Sequence, residues 1–399
     1  MSRIRMCLSL VLVIAASATL RAGSLPLIEV EVESEKLQGR VDAHADNYFW
    51  LMGQDGRLHG VMNEKVKKYR QVSPQFNSWP ATVLRDQLRR EFGKSYDVVG
   101  TRHYTVCAIG EKKARTYAET LEELYRSFYM YFSVRGFKLN EPEFPLVAVV
   151  FPDYGSFARY AQAETVSVSK LLRGYYLNTS NRIALYEDAD GVAGLQSQHE
   201  LPQELPERLG LGGVVRSPFR PYSNVDLPAE AWRSIEATLK DTMIHEATHQ
   251  VAFNTGLHSR IGATPKWVVE GLATVFEAPG IRNSSTNSGV KMRINRDRYV
   301  WFGNYCKSRR KPRSLESFLA SDESFKSDIL DAYSEAWALS FFLIETRPRA
   351  YAEYLRTIAA RDPLLVYSEK DRVADFKQTI SKELPLLESE FVRFIAQIR

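Results

Sequence analysis

Between residues 27 and 72 apolar and polar side chains alternate in short runs, at Leu27–Val32, 39–43, 48–52 and Leu58–Met62. A period of two is the mark of half-buried strands, and Asp55-Gly56 between the last two runs has the composition of a hairpin turn. The stretch predicts a small β-rich, barrel-like module whose simplest role is packing or spacing. Ser, Pro and Asn then concentrate over 73–80, as in a linker. Beyond it the pattern changes to helices at about 80–93, 114–135 and 154–163, strands at 103–109 and Leu146–Phe151, and a hairpin-like pair at Gly174–Leu177 and Arg182–Tyr186. Residues 187–225 carry Gly, Pro, Gln and Ser with little periodicity and read as a long loop that shapes access to a site.

A helix start follows at Asp226, with Pro228 in its first turn, and no further proline or glycine intervenes before Asn254. Trp232, Ile235, Leu239, Met243 and Ala247 recur at spacings of three and four, an apolar stripe that anchors the helix in a core. Gly256 is placed to terminate it. A second helix spans 265–277, with Pro265 near its start and Trp267, Val268, Leu272 and Val275 for packing. From Ser314 onward the chain is predicted to be helical, at Leu315–Ala320, 333–345, 350–360 and about 371–397.

The first of these two helices carries the chemistry. It contains His245-Glu246-Ala-Thr-His249, and side chains at i and i+4 share a helix face, so two imidazoles can point at one ion while Glu246 projects over its rim. Zinc in a catalytic site takes three protein ligands and leaves one position for water. Glu270, on the return helix, ranks first as the third ligand. Glu277 lies on the same face two turns further along and ranks below it, and His258 ranks lower still. A histidine six residues after the second motif histidine would mark a metzincin; with Ala252 and Thr255 at the diagnostic positions, that reading is rejected.

H-E-x-x-H followed about twenty residues later by Trp267-x-x-Glu270-Gly-Leu-Ala resembles the gluzincins, the thermolysin-type branch of zinc metallopeptidases, and in particular their peptidase MA-like bacterial relatives. The resemblance implies His245, His249 and Glu270 as ligands of one Zn²⁺ and Glu246 as general base. It implies a zincin-like core at 76–310, with a mixed sheet and an active-site helix; with the β module at 23–75 and the helical lobe at 311–399 read from the pattern, the expected fold class is α+β. By analogy 182–186 would be the edge strand beside the cleft. The segment from Tyr333 resembles the helix after the third ligand in such relatives, which makes Tyr333 a candidate oxyanion donor. One departure stands out: where thermolysin has an aspartate that orients a ligand histidine, this chain has Thr274, leaving Glu277 or Asp241 to take that part.

The formal charge of +5 carries little information. Ser2-Arg-Ile-Arg5, the apolar run that follows and the small residues at Ala18 and Ala22 read as a secretory signal peptide cleaved after one of those alanines; Cys7 lies too early for a lipoprotein. Loss of residues 1–22 removes three arginines and no acid, leaving +2. Lys and Arg are otherwise dispersed, with 309–313 read as a solvated loop, so no nucleic-acid partner is expected. No other segment is long and apolar enough to span a bilayer. Cys107 and Cys306 remain and are expected to be unpaired. The resulting expectation is a secreted or periplasmic zinc metallopeptidase acting on peptides or proteins. Alternatives are a zinc-holding domain without activity and an amide hydrolase of the cell wall.

Overall fold

The structure, a computed structural model, describes residues 25–168, 170, 172–187, 239–282 and 289–398. The leader, the loop predicted over 187–225 (beyond its first residue) and the first turns of the helix predicted from Asp226 lie outside these residues. The fold is α+β: two sheets precede a predominantly helical region.

The first sheet contains β1 (Leu27–Val32), β2 (Glu35–His44), β3 (Tyr48–Gly53), β4 (Leu58–Met62) and β5 (Val66–Ser73), in the order β4-β3-β2-β1-β5. Strands β4 and β5 occupy opposite edges, yet one 3₁₀ turn, Asn63–Lys65, joins them. So short a link curls the sheet until its edges approach at that end, although β4 and β5 do not pair among the described residues. The alternation seen in sequence puts Ile28, Val30, Phe49, Leu51, Val61 and Val66 on one face. On the other face Tyr48, Trp50 and Met52 pack with Phe144 and, beyond it, Ile261 and Leu364. The Asp55-Gly56 turn forms as expected, with Gly56 at φ 85°. Buried Arg260 fastens it to the body, donating to the carbonyls of Gly56 at 2.6 Å and Asn178 at 2.7 Å.

The second sheet is built from β6 (Asp97–Gly100), β7 (Tyr104–Ala108), β8 (Leu146–Phe151), β9 (Gly174–Leu177) and β10 (Arg182–Tyr186). Its order is β6-β7-β8-β10-β9, with β10 parallel to β8 and antiparallel to β9. The edge is therefore β9, and the expectation that 182–186 forms it is corrected. The crossover through helix α3 (Tyr154–Ala163) lays β10 alongside β8, and hairpin pairing leaves β9 outermost. Strand β6, four half-buried residues, was not foreseen. Residues of β8 alternate between two cores: Leu146, Ala148 and Val150 face α2 (Glu111–Ser133), while Val147, Val149 and Phe151 share the opposite core with Leu84 and Leu88 of α1 (Ala81–Phe92) and Phe157 of α3.

The helices that follow are α4 (Leu239–Asn254), α5 (Lys266–Phe276), α6 (Pro279–Arg282), α7 (Arg296–Ser308), α8 (Leu315–Ala320), α9 (Ser324–Ser327), α10 (Ile329–Thr346), α11 (Pro348–Ala359), α12 (Glu369–Thr379) and α13 (Leu384–Gln397). Gly256, at φ 84°, follows α4 as a terminator. Helix α4 is not amphipathic: Thr242 through Phe253 are all buried, so it threads the core instead of lying on it. The helix expected over 371–397 is two helices, because Pro385 supplies no N–H for a continuous ladder and instead opens α13. The 309–313 run is not simply a solvated loop. Arg310 is buried between Glu335 at 2.8 Å and Glu388 at 2.5 Å, and Arg309 pairs with Asp331 at 2.6 Å. Cys107 and Cys306 are free. No helix among the described residues is long and apolar enough to cross a membrane.

Candidate metal centre

Helix α4 is set in rotation by its polar residues. The Gln250 amide donates to the carbonyls of Val147 at 3.0 Å and Asn181 at 2.8 Å, tying the residue after His249 to β8 and to the β9–β10 turn. With that side fixed to the sheet, His245 and His249 share the face that meets α5. Helix α5 itself sits close to α10 because Gly271 has no side chain: a Cβ there would lie 2.6 Å from the Ala336 carbonyl oxygen. The glycine after Glu270 thus lets that carboxylate sit deep in the core.

The two Nε2 atoms of His245 and His249 are 3.0 Å apart, and one Glu270 oxygen lies 3.4 Å from the first and 3.6 Å from the second. A zinc ion with bonds of about 2.0–2.1 Å to nitrogen and oxygen sets tetrahedral ligand atoms roughly 3.3 Å from one another. The observed triangle matches that spacing, and the three residues form a buried group that could hold a metal ion. Two imidazoles and a carboxylate also suit a borderline cation better than Ca²⁺ or Mg²⁺, which prefer oxygen. His258 is not in the group. Its Nδ1 faces the Leu257 carbonyl at 3.0 Å, and its ring packs against Phe253.

Glu277 is not in the group either; it braces one of its members. Its carboxylate lies 2.7 Å from Nδ1 of His245 and also accepts the Asn295 amide at 2.6 Å. Once the ring has given up its second proton, Nδ1–H donated to Glu277 would leave the lone pair of Nε2 facing the triangle. This fills the place left open by Thr274, whose hydroxyl turns back to the carbonyls of Glu270 and Gly271. His249 Nδ1 has no hydrogen-bond partner among the described residues.

Glu246 points toward the sheet edge, where one of its oxygens accepts the Tyr176 backbone N–H of β9 at 2.8 Å. All four side chains are almost wholly enclosed: exposure is 2 % for His245, 1 % for Glu246 and His249, and none for Glu270. Desolvation pulls the His245 pKa down, but the Glu270, Glu277 and Glu246 carboxylates outweigh it and carry it to about 10. Desolvation lowers His249 to about 3. Burial would raise Glu270, but His249 and His245 reverse this and hold it near 2. The metal-free centre is thus a compact ion pair, with one proton on the histidine pair standing where a cation would bind.

Tyr333 of α10 is buried beside the same group. Burial, the Glu270 carboxylate and, further off, Glu246 push its phenol well above its ordinary range, so it stays a neutral donor. Trp267 stacks between aromatic residues, with Tyr354 at 5.8 Å, and is core rather than pocket.

Residues 240–365 match the model of a family described as "Protein of unknown function (DUF1570)", a span that contains His245, Glu246, His249, Glu270, Glu277 and Tyr333. No curated protein matches the chain.

Proposed function

We propose that the protein is an exported zinc-dependent peptidase of gluzincin type, with His245, His249 and Glu270 as ligands. The observation that carries this reading is the Nε2–Nε2–carboxylate triangle, with edges of 3.0, 3.4 and 3.6 Å, beside Glu246. A zinc ion held there would supply Lewis acidity to a scissile carbonyl and lower the pKa of a water. Glu246, anchored by the Tyr176 N–H, is set to accept a proton from the attacking water and return it to the leaving amine. Tyr333 supplies a neutral O–H toward the oxygen on which negative charge develops.

The test is metal analysis of the purified protein combined with cleavage of a peptide library, with and without chelator. Zinc with chelator-sensitive cleavage, lost in Glu246→Gln while zinc is retained, is the expected result. The near-complete burial of the four side chains favours a second reading, a zinc-holding domain without turnover. Stoichiometric zinc with no cleavage by the unmutated protein would select it.

A further inference from the structure

Three arginines are buried as whole residues among those described: Arg182, Arg260 and Arg298. Arg182 is paired with Glu91 at 2.6 Å, and Arg260 donates to backbone carbonyls at 2.6 and 2.7 Å. Arg298 differs. It is 6 % exposed, its Nε is buried without a hydrogen-bond partner, and its guanidinium forms no ion pair among the described residues. A buried cation without a counter-charge is costly enough that structures rarely keep one except to meet an anion.

Its position says which anion. The guanidinium carbon lies 5.3 Å from the centre of the Tyr333 ring, the ring whose hydroxyl sits beside Glu270. The backbone ties it to the metal group as well. Asn295, the residue whose amide grips Glu277, accepts the Arg298 N–H with its side-chain oxygen at 3.4 Å and so caps α7. The contact that orients His245 therefore also registers Arg298, one turn into α7, against the same centre.

We propose that Arg298 receives a substrate carboxylate, the free C-terminus of the peptide, so that this centre removes residues from C-terminal ends. The proposal rests on the peptidase reading above. A guanidinium presents a planar fork that binds a carboxylate by two parallel hydrogen bonds. One extended residue spans about 3.5 Å, so a terminal carboxylate at Arg298 would place the bond one or a few residues upstream at the metal group. Hydrolysis there adds the water's OH to the acyl carbon and its H to the amine, releasing a short fragment with both termini free. Arg298 is a specificity residue in this scheme and takes no part in proton transfer.

The experiment uses the full chain incubated with zinc, in the Glu246→Gln form, and a tetrapeptide library prepared with free C-termini and again as C-terminal amides. Retention of each peptide is measured by equilibrium dialysis and mass spectrometry. Free-carboxylate peptides are expected to be held about 100-fold more tightly than their amides, as befits a buried charged pair, and Arg298→Met to abolish the difference. Equal retention of the two sets, no retention of either, or preference for amidated peptides bearing Asp or Glu would overturn the terminal-carboxylate assignment. If selective retention is found but the unmutated protein cuts neither set, Arg298 keeps its role and the peptidase reading fails. A thermal melt guards against misfolding: Arg298→Met should melt no lower than the unmutated protein, since it relieves an unpaired buried charge. A clear fall in melting temperature would show that the arginine is structural and overturn the proposal.

Discussion

Nδ1 of His245 lies 2.7 Å from the carboxylate of Glu277, a residue seven positions beyond Glu270 on the return helix. Two carboxylates from one helix thus embrace one imidazole, Glu270 on the Nε2 side and Glu277 on the Nδ1 side. Partners of this kind typically account for about 10- to 100-fold in metal affinity. Glu277→Ala is therefore expected to weaken zinc binding by that factor while the fold is retained. Competition with a chromophoric chelator measures it, and an unchanged affinity would show that Glu277 does not orient the ligand.

Binding of zinc requires His245 to give up its proton. With its metal-free pKa raised to about 10, zinc affinity should climb about tenfold per pH unit from neutrality toward that value, with release of about one proton. Calorimetry in buffers of different ionisation enthalpy reads the proton directly. The same shift sets stability without metal. A histidine raised above its ordinary value of 6.5 contributes stability fully below that pH and loses it as pH rises through about 10. The metal-free protein should soften across this window and the zinc-loaded protein should not; parallel pH–melting curves for the two would count against the arrangement.

Arg310→Ala would leave Glu335 and Glu388 buried without their shared cation, a change that costs about 3–5 kcal/mol. Arg309→Ala, at a half-exposed pair with Asp331, should cost no more than about 1 kcal/mol. Denaturant titration of the two variants gives the comparison, and equal losses would contradict the buried network.

Gly271→Ala would drive a methyl into the Ala336 carbonyl and Ser340 side chain of α10, with ideal contacts of 2.6 and 2.1 Å. Backbone cannot yield cheaply there, so about 1–3 kcal/mol of destabilisation is expected, with Glu270 displaced from the histidines. Reduced zinc content alongside a lowered melting temperature is the signature. A variant as stable and as zinc-competent as the parent would show that the close approach is not needed.

Much of this arrangement was legible in the residues. The pattern-based strands Leu27–Val32, Leu58–Met62 and Leu146–Phe151 and the helix after Pro265 formed where alternation and capping placed them, because those signals are local. His245, His249 and Glu270 converge as spacing and resemblance implied. What escaped is non-local. Which strand of the β9–β10 hairpin lies outside depends on how β10 crosses to β8, and nothing in the pattern of 174–186 encodes that. Strand β6 is only four residues of intermediate burial and has no apolar signature. Arg310 sits in a run that composition marks as solvated, and only the acids on α10 and α13 draw it inside. Glu277 was in view as an alternative ligand and as a possible orienting partner, but choosing between the two faces of His245 required the packing of α5 against α4. Arg298 gave no signal, being one arginine among dispersed charges.

The central claim is that His245, His249 and Glu270 bind one divalent metal ion together. Stripping the purified protein of metal, reloading it with zinc, desalting and counting zinc by mass spectrometry tests it most directly. One zinc per chain in the unmutated protein, and essentially none in His249→Ala or Glu270→Gln at unchanged circular dichroism, is the predicted result; no zinc in the unmutated protein, or undiminished zinc in either variant, would contradict it.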